Sequence, residues 1–313
     1  MLSITDLSER MSRSGRRASS GHRASRRRHR PSANRPIPVR RLDTDLREAD
    51  LPRWIVRGDP IMSHFVATLS AVFPRGEEFF VATVRDHRDA VPEDSILKSQ
   101  VKAFIGQESM HGREHRKLNS RLDEFGYHTY RADARIDRTL RHVYRMRPAL
   151  FPIAVTAAAE HLTGIFGEAA LTSRTTRKTL FGDPEIQQLI SWHALEELEH
   201  KNVAFDVLQA AGGGYLVRMA GFVGALGLLG GSVMRSWYEA MWLDRRYIGR
   251  KQLARHVEVM KHQKLLSPWA VRRLVQYVKP GFHPDDMDTD DIVVEWKERL
   301  ASSTTVTAGM RSA

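Results

Sequence analysis

From about residue 60 onward, apolar residues recur at spacings of three and four, and no segment shows convincing period-two alternation. The pattern predicts helices over 61–73, 76–90, 94–125, 150–171, 184–210 and 215–243, so the fold class is all-α. Several boundaries have a local cause. Asp183-Pro184-Glu185 offers an N-cap, a proline at the first helical position and an early acid. Gly126 closes the helix before it, and Gly212-Gly213-Gly214 ends the segment that Asp183 opens.

Four glutamates interrupt the apolar stripes. Glu108 follows Ile105, Phe104 and Val101 on one face, and Glu197 continues a face that runs from Ile190 to Ala204. Glu160 has Ala157, Thr156 and Ile153 behind it and Gly164 and Gly167 ahead, a face of mostly small residues that invites close approach. Glu77 shares its face with Phe80, Val81 and Val84, whereas Glu78 leads to Arg85. An ionised carboxylate in a core is costly unless it is paired or metal-bound. Two of the four begin a Glu-x-x-His pair, Glu108/His111 and Glu197/His200, and His193 lies one turn before Glu197 on the same face.

In chain order this reads Glu, Glu-x-x-His, Glu, Glu-x-x-His, the order in which a four-helix bundle presents ligands to two metal ions. Four carboxylates and neutral imidazoles balance two divalent cations, and such a donor set suits iron or manganese. A competing reading starts one turn later in QESMHGREH: His111-x-x-Glu114-His115 is the inverted zinc-peptidase pattern, with Glu114 as base. It needs a distant third ligand and leaves Glu160 and the second Glu-x-x-His without a role. Individual residues have plainer readings too. Glu77 could be a first-turn acid favoured by the helix dipole, Glu196 and Glu199 a solvated or supporting fringe, and His115, His161 and Glu114 exposed or supporting groups.

Composition removes whole classes of chemistry. The 313-residue chain has no cysteine, which excludes disulfides, thiolate metal sites and cysteine nucleophiles, and fits a reducing, cytoplasmic location. With 42% hydrophobic residues it can bury a substantial core. The net charge of +12 is unevenly placed: residues 1–35 carry ten arginines against Asp6 and Glu9, hence +8 of the total. Segment 1–36 is therefore expected to be a disordered basic tail, able to contact an anionic membrane or nucleic acid and also resembling a transit peptide. The helical domain is expected over 37–300, with a second disordered tail at 301–313. Residues 219–234 are continuously apolar, but sixteen residues fall short of a bilayer span and five of them are glycine. A buried or interfacial helix, with membrane association as an option, is the expectation there. The acidic stretch GFHPDDMDTDD should link peripheral helices.

Five stretches, FPRGEEFF (73–80), FIGQESMHGREH (104–115), AAAEHLTG (157–164), WHALEELEHK (192–201) and VKPGFHP (278–284), resemble the bacterial family of predicted metal-dependent hydrolases. The resemblance implies a ferritin-like bundle with accessory C-terminal helices and points to Glu77 as the first ligand. His-x-x-x-Glu-x-x-His over 193–200 also resembles the di-iron arylamine N-oxygenases. That likeness implies His193 as a seventh ligand beside Glu77, Glu108, His111, Glu160, Glu197 and His200; the alternative is a supporting histidine hydrogen-bonded to a liganding carboxylate. Two activities follow as expectations, oxidation of a small organic substrate by a di-iron centre with an electron donor as partner, and two-metal hydrolysis; metal storage is a third, non-enzymatic class. A homodimer is compatible with each.

Overall fold

The structure is a computed structural model describing residues 36–310 except 43–45, 47, 49 and 147, and for 303–310 the backbone alone. The expected basic tail lies outside the described residues, save Pro36 at its edge. The described residues are helical with no strand, as the periodicity requires. In chain order the helices that matter here are α1 (Pro60–His87), α2 (Ile96–Glu124), α3 (Thr129–Tyr144), α4 (Phe151–Thr172), α5 (Arg174–Leu180), α6 (Pro184–His200), α7 (Val203–Ala210), α8 (Tyr215–Gly224), α9 (Gly230–Leu243), α10 (Arg250–Lys261), α11 (Pro268–Gln276) and α12 (Asp290–Met310). Helix α1 packs on α2 and α3, while α4 packs on α6, α7 and α8, and α2 meets α6 and α7.

Three departures from the sequence pattern have physical causes. First, the expected helices 61–73 and 76–90 are one helix that runs straight through Pro74. Proline has no N–H to give to the carbonyl of Ser70, one turn back. Asn119 of α2 replaces it, its Nδ2 donating to Ser70 O at 3.0 Å. Second, 184–210 is broken at Lys201–Asn202, where Lys201 turns inward and donates to Met287 O and Thr289 Oγ1. This ties down the acidic stretch, which is packed rather than peripheral: Phe282, His283 and Met287 are buried, and His283 Nε2 meets Asp206 Oδ1 at 2.7 Å. Third, α3 adds a helix to the expected set; its buried apolar stripe is Ala132, Ile136, Leu140 and Val143, set among many charges.

Caps fall where the sequence places them. Asp183 Oδ1 accepts from the backbone N–H groups of Glu185 and Ile186, and Gly126 sits at φ +84°. Helix α8 lies so close to α4 that a Cβ on Gly221 would fall 2.4 Å from the backbone of Ala154. From α8 a π-helical turn (Ala225–Leu229) leads directly into α9. The combined Tyr215–Leu243 helix is long and apolar enough to cross a membrane, and Leu216, Val223, Met234, Tyr238 and Trp242 on it are exposed. Helix α12 extends through Met310, past the domain end near residue 300 that the sequence suggests; residues 311–313 lie outside the described set.

Candidate metal centre

The four stripe-breaking glutamates meet in one interior. Glu77 comes from α1, Glu108 and His111 from α2, Glu160 from α4, and His193, Glu197 and His200 from α6, and all seven are buried. Each is carried inward by the apolar stripe that surrounds it. Three sets bring one ligand atom per residue within 4.8 Å of one another: Glu77/His111/His193, Glu108/His111/Glu197 and Glu108/Glu160/His200. Because His111 and Glu108 each occur twice, the sets form one connected site and not three.

The polar atoms here are left bare to a degree that a core does not tolerate by itself. Neither oxygen of Glu77, Glu108 or Glu160 has a hydrogen-bond partner, and the same is true of Glu197 Oε2, His111 Nδ1 and His200 Nε2. Such an unpaired group costs about 1–3 kcal/mol, and more when charged. His200 Nε2 lies 3.1 Å from Glu108 Oε1, 3.3 Å from Glu160 Oε2 and 3.6 Å from Glu197 Oε2. Burial, reinforced by the charge of Glu197, pushes Glu77 well above the usual carboxylate range and Glu160 to about 7. Burial does the same to Glu108, against the opposing pull of His200. Burial also opposes the charge on Glu197, but His200 and the hydrogen bond to His193 outweigh it and hold this carboxyl well below its ordinary value. Four carboxylates competing for so few positive neighbours are what two divalent cations would relieve, and the oxygen and imidazole donors fit that charge.

Each histidine presents one nitrogen to the site and anchors the other. His111 Nε2 is 3.0 Å from Glu196 Oε2, leaving Nδ1 bare. His200 Nδ1 is 2.9 Å from Gln107 Oε1, leaving Nε2 bare. His193 Nδ1 is 2.8 Å from His115 Nε2, and His115 Nδ1 is 2.9 Å from Ser70 Oγ. This last chain fixes proton positions. With Asn119 Nδ2 donating to Ser70 O, its Oδ1 must accept, so the Ser70 hydroxyl donates to it at 2.7 Å. Ser70 Oγ then accepts from His115 Nδ1–H, His115 Nε2 accepts from His193 Nδ1–H, and the lone pair of His193 falls on Nε2. That atom faces Glu197 Oε1 at 2.8 Å. Two acceptors in contact attract only with a cation between or beside them, whether a proton or a metal ion.

The structure also sorts the other sequence candidates. Glu114 is buried but paired with Arg113 at 2.7 Å and Lys117 at 2.9 Å, and His115 is engaged on both nitrogens. The inverted zinc-peptidase arrangement is therefore not assembled. His161 turns away, its Nε2 on Arg273 O, and burial lowers it to about 4. Glu196 and Glu199, read as a fringe, are buried and held by Arg40. Gln107, Ser70, Asn119 and Arg40 escaped the sequence reading because a single amide, hydroxyl or guanidinium has no spacing signature.

The family described as "Predicted metal-dependent hydrolase" matches residues 38–288. The chain belongs to this family. All seven buried glutamates and histidines of the site, together with Arg40, lie inside the matched span. No curated protein and no solved structure matches the chain.

Proposed function

We propose that Glu77, Glu108, His111, Glu160, His193, Glu197 and His200 hold two divalent metal ions in a ferritin-like bundle. Iron is the best fit, with manganese second, and the centre oxidises a small organic substrate. The observation that carries the reading is the convergence of four buried carboxylates with bare oxygens on three imidazoles whose outer nitrogens are already anchored. Glu77, His111 and His193 would hold one ion, Glu108, Glu160 and His200 the other, with Glu197 neighbouring both sets. The first set is richer in imidazole and the second in carboxylate, so the two ions would be inequivalent. Reduced iron in such an oxygen-rich site supplies electrons for the activation of dioxygen.

The chain's own residues have separate tasks. The four glutamates would neutralise the metal charge; Glu77, Glu108 and Glu160, with no hydrogen bond on either oxygen, would be free to adjust to it, whereas Glu197 is held at Oε1 by His193. Phe73 and Phe104 pack against the histidine rings and keep water from them, with ring centroids 4.8 Å from His193 and 4.9 Å from His200. The His193–His115–Ser70–Asn119 chain holds the His193 proton on Nδ1 and so keeps Nε2 for the site. An electron donor would be a partner where one oxygen atom of dioxygen enters the substrate and the other leaves as water, because that reaction takes two electrons more than the substrate gives.

Hydrolysis is the second reading, favoured by the family's description. Two metal ions can activate a water for attack on an ester or phosphate. The deciding experiment is anaerobic loading with ferrous ion, then mixing with dioxygen while absorption and oxygen uptake are followed. Rapid uptake with a transient visible band supports oxidation. Two bound ions with no oxygen reaction, together with turnover of ester or phosphate substrates, would favour hydrolysis; continued ferrous oxidation with iron accumulating as a core would favour storage.

A further inference from the structure

One side chain outside the bundle is linked, through carboxylates and an amide, to the outer nitrogens of two of the three site histidines. The segment 36–42 precedes the helices and lies along α2 and α6: Pro38 O accepts from Gln107 Nε2 at 2.9 Å, and Leu42 O accepts from Arg113. Between them Arg40 forks onto two carboxylates of α6. Its Nη1 is 3.2 Å from Glu196 Oε1 and 2.6 Å from Glu199 Oε2, and its Nη2 is 2.8 Å from Glu199 Oε1.

From the fork two paths lead inward. Glu196 passes directly to His111, its Oε2 being 3.0 Å from Nε2. Glu199 Oε2 accepts from Gln107 Nε2 at 3.2 Å, and Gln107 Oε1 in turn faces His200 Nδ1 at 2.9 Å. The directions follow from the donors and from charge. A guanidinium only donates, so the oxygens of Glu196 and Glu199 that meet it accept; burial raises Glu196 to about 7, and the Arg40 charge beside it opposes that rise and favours the carboxylate, as it does for Glu199. Glu199 can therefore orient Gln107 only with the amide nitrogen outward, which leaves the amide oxygen to accept from His200. An ionised Glu196 likewise accepts from His111. In the neutral form that a metal ion requires, both imidazoles are thereby held with the proton on the outer nitrogen and the lone pair on the inner one, Nδ1 for His111 and Nε2 for His200, the two nitrogens that have no hydrogen-bond partner.

We infer that Arg40 is a positioning residue for the metal centre: through Glu196 and through Glu199–Gln107 it sets the proton tautomers of His111 and His200 and so prepares one imidazole in each ligand set for metal. The inference rests on the dinuclear reading above. It also gives the segment before α1 a role in the site that no helix of the bundle performs. Lys297 shares the load on Glu199 at 2.8 Å, so the Glu196–His111 arm depends on Arg40 more than the Gln107–His200 arm does.

The test uses full-length protein, cobalt(II) as a spectroscopic probe, and three variants: Arg40→Ala, Arg40→Lys and Gln107→Met. Wild type should take up two cobalt ions; failure there would sink the dinuclear reading itself and is separate from the role of Arg40. Arg40→Ala should lower affinity by about 10- to 100-fold, as expected when a ligand's supporting contact is removed, and alter the ligand-field spectrum at full loading. Arg40→Lys, keeping the charge without the fork, should fall between. Gln107→Met should perturb the His200 set alone, weakening one of two resolved binding steps. Should Arg40→Ala fail to fold, the lysine and methionine variants carry the test. Unchanged affinity and spectrum in variants that only melt at lower temperature would make Arg40 a structural clasp and overturn the inference.

Discussion

His193 Nδ1 lies 2.8 Å from His115 Nε2, and this contact decides what His193 can do. Its outer nitrogen is occupied, so only Nε2, which faces Glu197, Glu77 and His111, is left for the site. Replacing His115 with Leu removes the anchor without touching a ligand and should weaken one metal ion by about 10- to 100-fold. His193→Ala should alter the spectrum of one iron and suppress product formation with both ions present. An unaltered spectrum with full activity at saturating iron would return His193 to a supporting role.

Stoichiometry separates the two readings of QESMHGREH. About two ions per chain are expected by metal analysis, with Glu108→Ala or Glu197→Ala losing at least one. Glu114→Ala should keep both, because Glu114 spends its oxygens on Arg113 and Lys117. A single tight zinc that is lost with Glu114 would contradict this.

Without metal, the site should make the fold sensitive to rising pH. Glu160 is raised by burial and by Glu197 to about 7, and burial raises Glu77 and Glu108 well above the usual carboxylate range as well. Between the unfolded carboxylate value and these raised ones, the folded chain binds more protons than the unfolded chain, so stability falls as pH rises through them. Burial and Glu160 act on His200 in opposite senses; its carboxylate neighbours win and hold it above its usual value, which adds to the loss over the same direction. Glu197, held low, works the other way only in acid. Burial holds His111 and His115 well below the usual imidazole value and His161 at about 4, which works the other way up to that usual value, so chelator-treated protein should melt progressively lower from about pH 6.5 to 8, and metal-loaded protein should not. A flat melting profile for the metal-free protein would show that the carboxylates are not as isolated as they look.

The Pro74–Asn119 exchange can be tested by a double-mutant cycle. Asn119→Leu leaves Ser70 O without a donor and should cost about 1–3 kcal/mol by denaturant unfolding. Pro74→Ala restores the helix N–H, so in the Pro74→Ala background the same change should cost less. Equal losses in both backgrounds would show that Asn119 acts elsewhere.

Two glycines of the long apolar helix should respond oppositely to alanine. Gly221 faces the Ala154 backbone, and the added methyl should destabilise the fold by about 1–3 kcal/mol. Gly231 has open space around it, and there alanine should stabilise by about 0.5–1 kcal/mol through its better helix propensity. Thermal melts of the two variants against wild type check the sign.

Periodicity and single-residue chemistry are local properties, and those parts of the protein were readable from the chain alone. The all-α class, the caps at Asp183 and Gly126, and the inward face of each of the four glutamates all follow from spacings of three and four. What one helix cannot state is which neighbour it meets. Along α6, His193 shares a face with Glu197 and His200, and the fold adds to it Glu77 from α1 and His111 from α2. Glu196 and Glu199 read as either solvated or supporting acids until Arg40, more than 150 residues away in sequence, is brought onto them. Pro74 reads as a helix end until Asn119 supplies the missing donor. In the last two cases a local rule was overridden by a hydrogen bond between distant segments, and in all three the pairing leaves no period in the sequence, since it depends on where two elements touch.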